Sequence, residues 1–335
     1  MLVVSVAIPS LAADDCLADC IRSVAAQTAS GVEIIVIDNS GEGRARRLDV
    51  VRDRARIIEN GRNVGFGAAV NQAVRATEAP YIAVLNDDAV ADPRWLEAML
   101  AAMQERYEIG MCAPQIRMFG EDRLDSAGML LCADGSSKQR GHLQPAAGYS
   151  RPADVLFPSG CAALYRRAML DEIGLFDETL FLYCEDTDLG LRARRRMWEC
   201  MYVPDAVVEH RYSHSSGRAS AEKAWLVERN RLRVAVKNLP MPMLAVAPLY
   251  SMTRYFWHAV FMGLGAGKTA EFRAGGGSAL QLPWIVLRAN LDLLSSLPRL
   301  LRQRREIRRT ARLSSKQFTK LLRSHRISSR QVAAL

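Results

Sequence analysis

Several common protein classes are excluded by what this chain has little of. Its seven cysteines (Cys16, Cys20, Cys112, Cys132, Cys161, Cys184 and Cys200) contain no CxxC pair. That argues against a zinc knuckle or a disulfide framework and for a reducing cytosol. Aromatic residues make up only 7% of the chain. Between Arg299 and Arg330, where twelve Lys and Arg face one acid, Glu306, the only aromatic is Phe318. Single-stranded nucleic acid is held by aromatics interleaved with cations, so no nucleic-acid partner is expected. Long uncharged runs are missing too. The windows 238–253, 255–267 and 274–287 are divided by Arg254, Lys268, Arg273 and Arg288. Each falls short of the about 18 apolar residues that a spanning helix needs. No basic lead-in precedes the opening apolar run at Val3 to Ile8, so no signal peptide is expected.

What is present fits a globular protein. The 335 residues are 49% hydrophobic and 24% charged, enough for a substantial core. The net charge of +9 is concentrated in the basic segment after Arg299. Such a segment can meet anionic lipid, nucleic acid or water. Over the first 90 residues, apolar β-branched runs alternate with helical patterns. Strands are expected near residues 3–8, 32–37, 56–59 and 81–85, and helices around Leu17, Cys20, Ile21 and Val24 and from Phe66 to Ala76. Strands separated by helices imply a parallel sheet. Ligands bind such sheets beyond the carboxyl ends of the strands. Two polar clusters, Asp38-Asn39 and Asn86-Asp87-Asp88, fall at such ends. Asp92 precedes Pro93 and suits the cap of the next helix, so capping does not account for Asp87 and Asp88.

Two glycine patterns mislead. Gly65-Phe66-Gly67 starts a GxGxxG, but its sixth position is Val70. Gly263 to Thr269 looks like a P-loop, but Met262 stands where the first glycine is required.

From residue 3 to 238 the chain resembles family 2 glycosyltransferases of the rhamnosyltransferase-like kind. The resemblance rests on VSVAIPS at 4–10, IIVIDNS at 34–40, NVGFGAAVN at 63–71, AVLNDDAV at 83–90 and PSGCAALYRRAMLDEIGLFDE at 158–178. It continues through FLYCEDTDLGLRAR at 181–194, VPDAVVEHRYSHS at 203–215 and ERNRLRVAVKN at 228–238. It implies an α/β chain with the GT-A fold: a Rossmann-like, mostly parallel nucleotide-binding sheet (1–110) joined to an acceptor-binding half (111–238). A helical, basic and membrane-associating region (239–335) is expected to follow. By the same resemblance Pro9 lines the base pocket, Asp38 bonds the base, and Asn63 and Gly65 abut the nucleotide. Asn86-Asp87-Asp88 is then the DxD-type motif, with Asp87 supporting the nucleotide and Asp88 on the metal. His210 supplies the second metal ligand.

Transfer from a nucleotide sugar requires the departing diphosphate to be neutralised, which a hard divalent cation on carboxylate oxygens achieves. Imidazole is a softer donor, so His210 favours Mn²⁺ over Mg²⁺. Inversion needs a base for the acceptor hydroxyl. Glu185-Asp186-Thr187-Asp188 follows apolar Phe181 to Cys184, and desolvation there raises a carboxylate's pKa. The competing reading is a helix start collecting acids against its dipole. The resemblance makes Asp186 the base, leaves Glu185 to orient or bind the acceptor, and Asp188 is assigned to structure. Arg229, in Glu-Arg-Asn-Arg, is the preferred diphosphate contact, although i,i+4 pairing on a solvated face fits as well. Ser159 and Gly160 form a small-residue turn that lets backbone approach the sugar.

The expectation is an inverting transferase moving rhamnose from dTDP-rhamnose to a polysaccharide or lipid-linked glycan. It would work peripherally on the cytoplasmic side of an anionic membrane, bound through 239–335. The near alternative is a galactofuranosyl or other hexosyl transferase using a UDP donor. The far alternative is a non-catalytic nucleotide-binding protein with a membrane-binding tail. Glycoside hydrolysis, which also uses paired carboxylates, would leave the 83–90 segment unused.

Overall fold

Burial of alternate apolar residues drives the first half of the chain into the expected strands. A computed structural model describes residues 1–211, 220–267, 272, 278 and 280–335; His214 and the Gly275–Gly277 joint lie outside them. The elements begin β1 (Val4–Ser10), α1 (Asp15–Ala25), β2 (Val32–Asp38), α2 (Asp49–Arg54), β3 (Arg56–Glu59), α3 (Phe66–Arg75) and β4 (Tyr81–Leu85). Leu17, Cys20, Ile21 and Val24 of α1 are buried, as their spacing requires. Strands β4, β1, β2 and β3 lie side by side and parallel. The polar turns at 38–39 and 86–88 therefore leave the same edge of the sheet.

The chain continues with β5 (Ala89–Ala91), α4 (Trp95–Glu105), β6 (Ile109–Met118), β7 (Leu124–Ser126) and a short hairpin of β8 (Met129–Leu131) and β9 (Ser137–Gln139). After it come β10 (Ala153–Asp154), β11 (Ala162–Arg166), α5 (Arg167–Ile173), α6 (Glu185–Arg195) and β12 (Glu199–His210). Asp92 does not cap α4 as expected: the N-cap is Arg94, with no side-chain cap bond, and Asp92 Oδ1 accepts from the Arg94 N–H at 2.9 Å in the turn before it. The sheet order is β10-β12-β6-β11-β4-β1-β2-β3. Its second half is mixed: β11 runs antiparallel to β4 and β6, and β12 parallel to β6.

Two compact units result, and they do not follow one another along the chain. The first holds Met1–Met129, Gln139–Phe181 and Trp198–Ser215; the second holds Leu130–Lys138, Leu182–Met197 and Ser216–Leu335. The first is the sheet with its helices. The second is helical: α6, α7 (Ala221–Asn238), α8 (Met241–Gly263), α9 (Gln281–Arg309), α10 (Ser315–Ser324) and α11 (Ser329–Ala334). Helix α6 starts at Glu185, so Glu185, Asp186 and Asp188 all fall in its first turn.

Buried ions organise the second unit. Arg254 donates to Asp134 Oδ2 at 2.7 Å and to Glu228 Oε2 at 2.8 Å, and Arg231 pairs with Glu228 and Asp134. Asp188 accepts from Arg192, Lys237 and Asn238, each at 2.9 Å, a structural use. Arg231 is thus buried and paired, unlike the solvated face that its charge pattern allowed.

The basic end of the chain folds as well. Helices α10 and α11 each begin with a capping box, Ser314 with Gln317 and Ser328 with Gln331. Phe318 and Leu322 are buried, Leu131 N donates to His325 O at 3.0 Å, and Ile327 N to Leu131 O at 3.1 Å. Counting charge alone hid this packing, because the apolar residues recur at helical spacing among the lysines and arginines. No helix among the described residues is long and apolar enough to cross a membrane.

Candidate active site

At the end of β4, Asn86 N donates to Cys161 O at 2.8 Å, and Ala89 N returns to Asn86 O at 3.2 Å, closing a turn around Asp87 and Asp88. Ser10 Oγ donates to Asp87 Oδ2 at 2.6 Å, tying that acid to the end of β1. Strand β5 then pairs antiparallel with β12 in the register Ala89 to His210. The register sets the two proposed metal ligands together: His210 Nε2 lies 3.2 Å from Asp88 Oδ1, both residues being buried.

Behind His210 stands Asp125 on β7. Its Oδ2 is 2.8 Å from His210 Nδ1. Burial alone would raise the Asp125 pKa, but hydrogen bonds from His142 and His210 bring it to about 2. An ionised carboxylate only accepts, so Nδ1 carries the hydrogen and Nε2 is the nitrogen turned to Asp88. This is the arrangement by which a carboxylate fixes the ring of a metal-bound histidine. His142 Nδ1 donates to Asp125 O at 3.0 Å and lies 3.3 Å from Oδ1, holding the carboxylate from its other side. Burial opposes charge on His210, yet Cys161 and the carboxylates of Asp125 and Asp88 raise its pKa well above the ordinary value.

Asp125, Cys161 and His210 also bring one ligand atom each within 4.8 Å of one another. Burial raises the Cys161 thiol pKa, however, and a thiol is a poor ligand compared with a thiolate. Carboxylate plus imidazole, Asp88 with His210, is the better fit to a divalent cation.

Apart from Arg229, the residues expected around the nucleotide share the first unit. Asp38 is buried and spends both oxygens on its own loop, accepting from Ser40 N and Ala45 N at 2.8 Å. Pro9 precedes Ser10 in β1 and pairs with Ile37. Asn63 Oδ1 accepts from Gly65 N at 2.9 Å. Gly65 has φ +86°, and a Cβ there would lie 2.3 Å from Phe181 O. Its identity is therefore demanded by a protein carbonyl, which the motif did not foretell. Ser159 Oγ accepts from Cys161 N at 3.3 Å across Gly160.

Glu185, Asp186 and Arg229 belong to the second unit. Tyr183 and Cys184, just ahead of α6, both adopt left-handed backbone, with φ 71° and 68°. Such strain persists only when neighbours hold it. Asn230 Nδ2 does so by donating to Leu182 O and Tyr183 O, both at 2.8 Å. Asp186 is half-buried, its Oδ1 accepting from Thr187 N at 2.6 Å, whereas Glu185 is buried. Burial first, and the Asp186 charge second, push the Glu185 pKa up to about 8. The desolvation expected for this pair thus falls on Glu185. Arg229 stacks over the Trp225 ring at 4.7 Å and donates to Asn230 Oδ1 at 2.9 Å; burial lowers its pKa to about 10, so it stays cationic at neutral pH.

The family model described as Glycosyl transferase family 2 matches residues 5–174, half of the chain. The chain belongs to glycosyltransferase family 2. Among proteins similar to this transferase is one of Mycobacterium tuberculosis, N-acetylglucosaminyl-diphospho-decaprenol L-rhamnosyltransferase. It is 29% identical over 227 residues, covering 60% of this chain and 73% of that one. A crystal structure of GalNAc-T7 with UDP, GalNAc and Mn²⁺ aligns with TM-score 0.58 at 15% identity, over 88% of this chain and 58% of that one. The structure of S. aureus TarS 1-349 aligns with TM-score 0.54 at 15% identity, over 96% and 91%. These neighbours establish the GT-A fold of the family 2 transferase.

Sequence reading missed Asp125, His142 and Asn230 in this transferase. No motif surrounds the first two, and only the β6–β7 pairing brings Asp125 behind the histidine. Asn230 stood inside Glu-Arg-Asn-Arg, where the arginines drew attention.

Asp125→Asn should weaken Mn²⁺ binding by about 10–100-fold, read by isothermal titration or Mn²⁺ EPR; unchanged affinity removes Asp125 from the site. Glu185 has a folded pKa raised to about 8, so its contribution to stability is complete below the ordinary glutamate value and is lost as pH rises through 8. Each unit of separation is worth about 1.4 kcal/mol. Urea unfolding from pH 4.5 to 8.5 should therefore show stability falling more steeply with pH in the wild type than in Glu185→Gln; parallel curves would mean that Glu185 is ionised in the fold.

Proposed function

We propose that the chain transfers rhamnose from dTDP-rhamnose, with inversion, to a hydroxyl of a lipid-linked or polysaccharide acceptor. The observation that supports this most is the Asp88–His210 pair backed by Asp125, 3.2 Å and 2.8 Å apart at a strand end where nucleotide ligands bind. The 29% identical relative is named for rhamnosyl transfer to a decaprenol-linked acceptor, which motivates both the sugar and the lipid-linked class.

In this reading Pro9, Asp38, Asn63 and Gly65 frame the base and ribose, and Asn86 and Asp87 support the diphosphate from the β4 turn. Asp88 and His210 hold Mn²⁺ or Mg²⁺, whose charge offsets that of the leaving dTDP. Arg229 is the proposed diphosphate contact. Asp186 accepts the acceptor's hydroxyl proton while the acceptor oxygen bonds to the anomeric carbon. The anomeric carbon–phosphate oxygen bond breaks on the opposite face, and its electron pair leaves with the diphosphate. Glu185, protonated at neutral pH, donates a hydrogen bond to an acceptor oxygen. Ser159 and Gly160 border the sugar. The protein works peripherally on the cytoplasmic face of an anionic membrane.

A thermal-shift panel of dTDP-rhamnose, UDP-galactofuranose and other UDP-hexoses, each with and without Mn²⁺, tests the donor. The largest rise is expected for dTDP-rhamnose with Mn²⁺; a rise confined to UDP sugars would replace rhamnose with a hexose. Asp186→Asn should cut transfer by about 10²–10⁴-fold and leave the dTDP-rhamnose shift in place. Loss of transfer and shift together would make Asp186 a structural residue.

A further inference from the structure

Water should not face the helices α8 and α9 as they stand. On α8, Ala245, Leu249, Met252, Phe256 and Ala259 are all exposed. Their spacing of alternately four and three residues places them in one row along the helix. Leu249 is 69% and Phe256 61% exposed. No exposed residue anywhere on α8 carries a charge. On α9, Trp284, Leu287, Leu291, Leu294 and Leu301 form a second exposed row, with Trp284 at 61% and Leu294 at 65%. That row spans about 25 Å at the helical rise. The same face then turns basic through the exposed Arg302, Arg305 and Arg309, while Ile285, Ala289 and Leu300 on the other side are buried. Single exposed apolar residues are ordinary, but two continuous rows are not.

Their occupant follows from charge and from ring chemistry. A second copy laid parallel along the α9 row would bring clusters of arginine towards each other. An anionic bilayer accepts apolar side chains below its headgroups and arginines among them. Tyr250 and Trp284, both exposed, are side chains that settle at the headgroup level. The last helices cannot act as a free basic arm, because Phe318 and Leu322 bury α10 in the second unit.

We infer that the exposed rows of α8 and α9 insert into the interfacial layer of an anionic bilayer, with the arginines at the end of α9 on the headgroups. The inference rests on the peripheral placement proposed above and specifies its surface and mode: apolar insertion in place of a polybasic tail. It implies an acceptor met at the membrane surface.

The full chain is floated with vesicles of phosphatidylcholine containing 30% phosphatidylglycerol, in 0.1 M and 0.5 M NaCl. Wild type is expected to bind at both salts and more weakly at the higher. Leu249→Glu/Phe256→Glu and Trp284→Glu/Leu291→Glu should each lower partitioning by about tenfold or more at either salt, the scale of losing one or two buried side chains. Arg302→Glu/Arg305→Glu should lower it mainly at 0.1 M. The thermal shift with the nucleotide donor confirms that each variant is folded. If the apolar variants bind like wild type while the arginine variant is released, insertion is wrong and peripheral attachment stands. If wild type binds no vesicle, the peripheral reading falls too. A wild-type dimer in sedimentation that Leu291→Glu makes monomeric, without vesicle binding, would assign the rows to a second copy.

Discussion

The pairing of three residues of β5 with the end of β12 is the constraint on which the site depends. His210 lies beside Ala89 in that ladder, and so its ring reaches the carboxylate of the preceding residue, Asp88. Side chains alternate across a strand, and a slip of one residue would turn the histidine to the other face. Strand β12 is locked on its far side by the long parallel pairing with β6, which runs from Ile109 to Met118 despite two irregularities in register. The same β6 carries β7 and with it Asp125. One ladder therefore sets both His210 and the residue that orients its ring. This explains how Asp88 and His210, more than a hundred positions apart, meet without any short motif containing both.

Buried polarity is used in two different ways in this molecule. Around Asp134, Glu228, Arg231 and Arg254, opposite charges satisfy one another; removing one partner would strand the others, the costly outcome for a buried ion. Around Asp88 the balance is different. Two acids, Asp88 and Asp125, flank His210, and a second imidazole, His142, holds Asp125 from its other side.

Much of the first unit was legible because its signals are local. Apolar β-branched runs ended by polar turns gave β1, β2 and β4 and placed Asp38 and Asn86–Asp88 at their carboxyl ends. Asp92 was expected as the cap of α4, but the helix starts at Trp95 after Arg94, and Asp92 only closes the turn before it. What the sequence concealed depends on distant partners. Asp125 lies in Arg-Leu-Asp-Ser, an unremarkable run until β7 pairs with β6. Asn230 hides between two arginines, and its work is done on carbonyls of residues 182 and 183. The tail misled for another reason: twelve bases dominate a count, but Phe318, Leu322 and Val332 decide where α10 and α11 pack. Gly65 was legible as important, but the close approach of Phe181 O, which by itself excludes a side chain there, was not.

Glu185 and Asp186 show why two adjacent acids need not share a role. Successive residues on a helix point about 100° apart, so one carboxyl enters the second unit while the other stays half-open. The buried one is held protonated, and part of the reason is the charge of its neighbour. That coupling has a direction. If Asp186 takes the acceptor's proton as proposed, its charge vanishes and the cause it supplied to the high Glu185 pKa vanishes with it. Glu185 then holds its own proton less tightly at the moment when a proton must leave the site. Environments that push two titratable groups apart are how acid and base roles are divided at one pH. Here the strained turn at Tyr183 and Cys184, clamped by Asn230, creates the division by fixing which of the two residues faces inward.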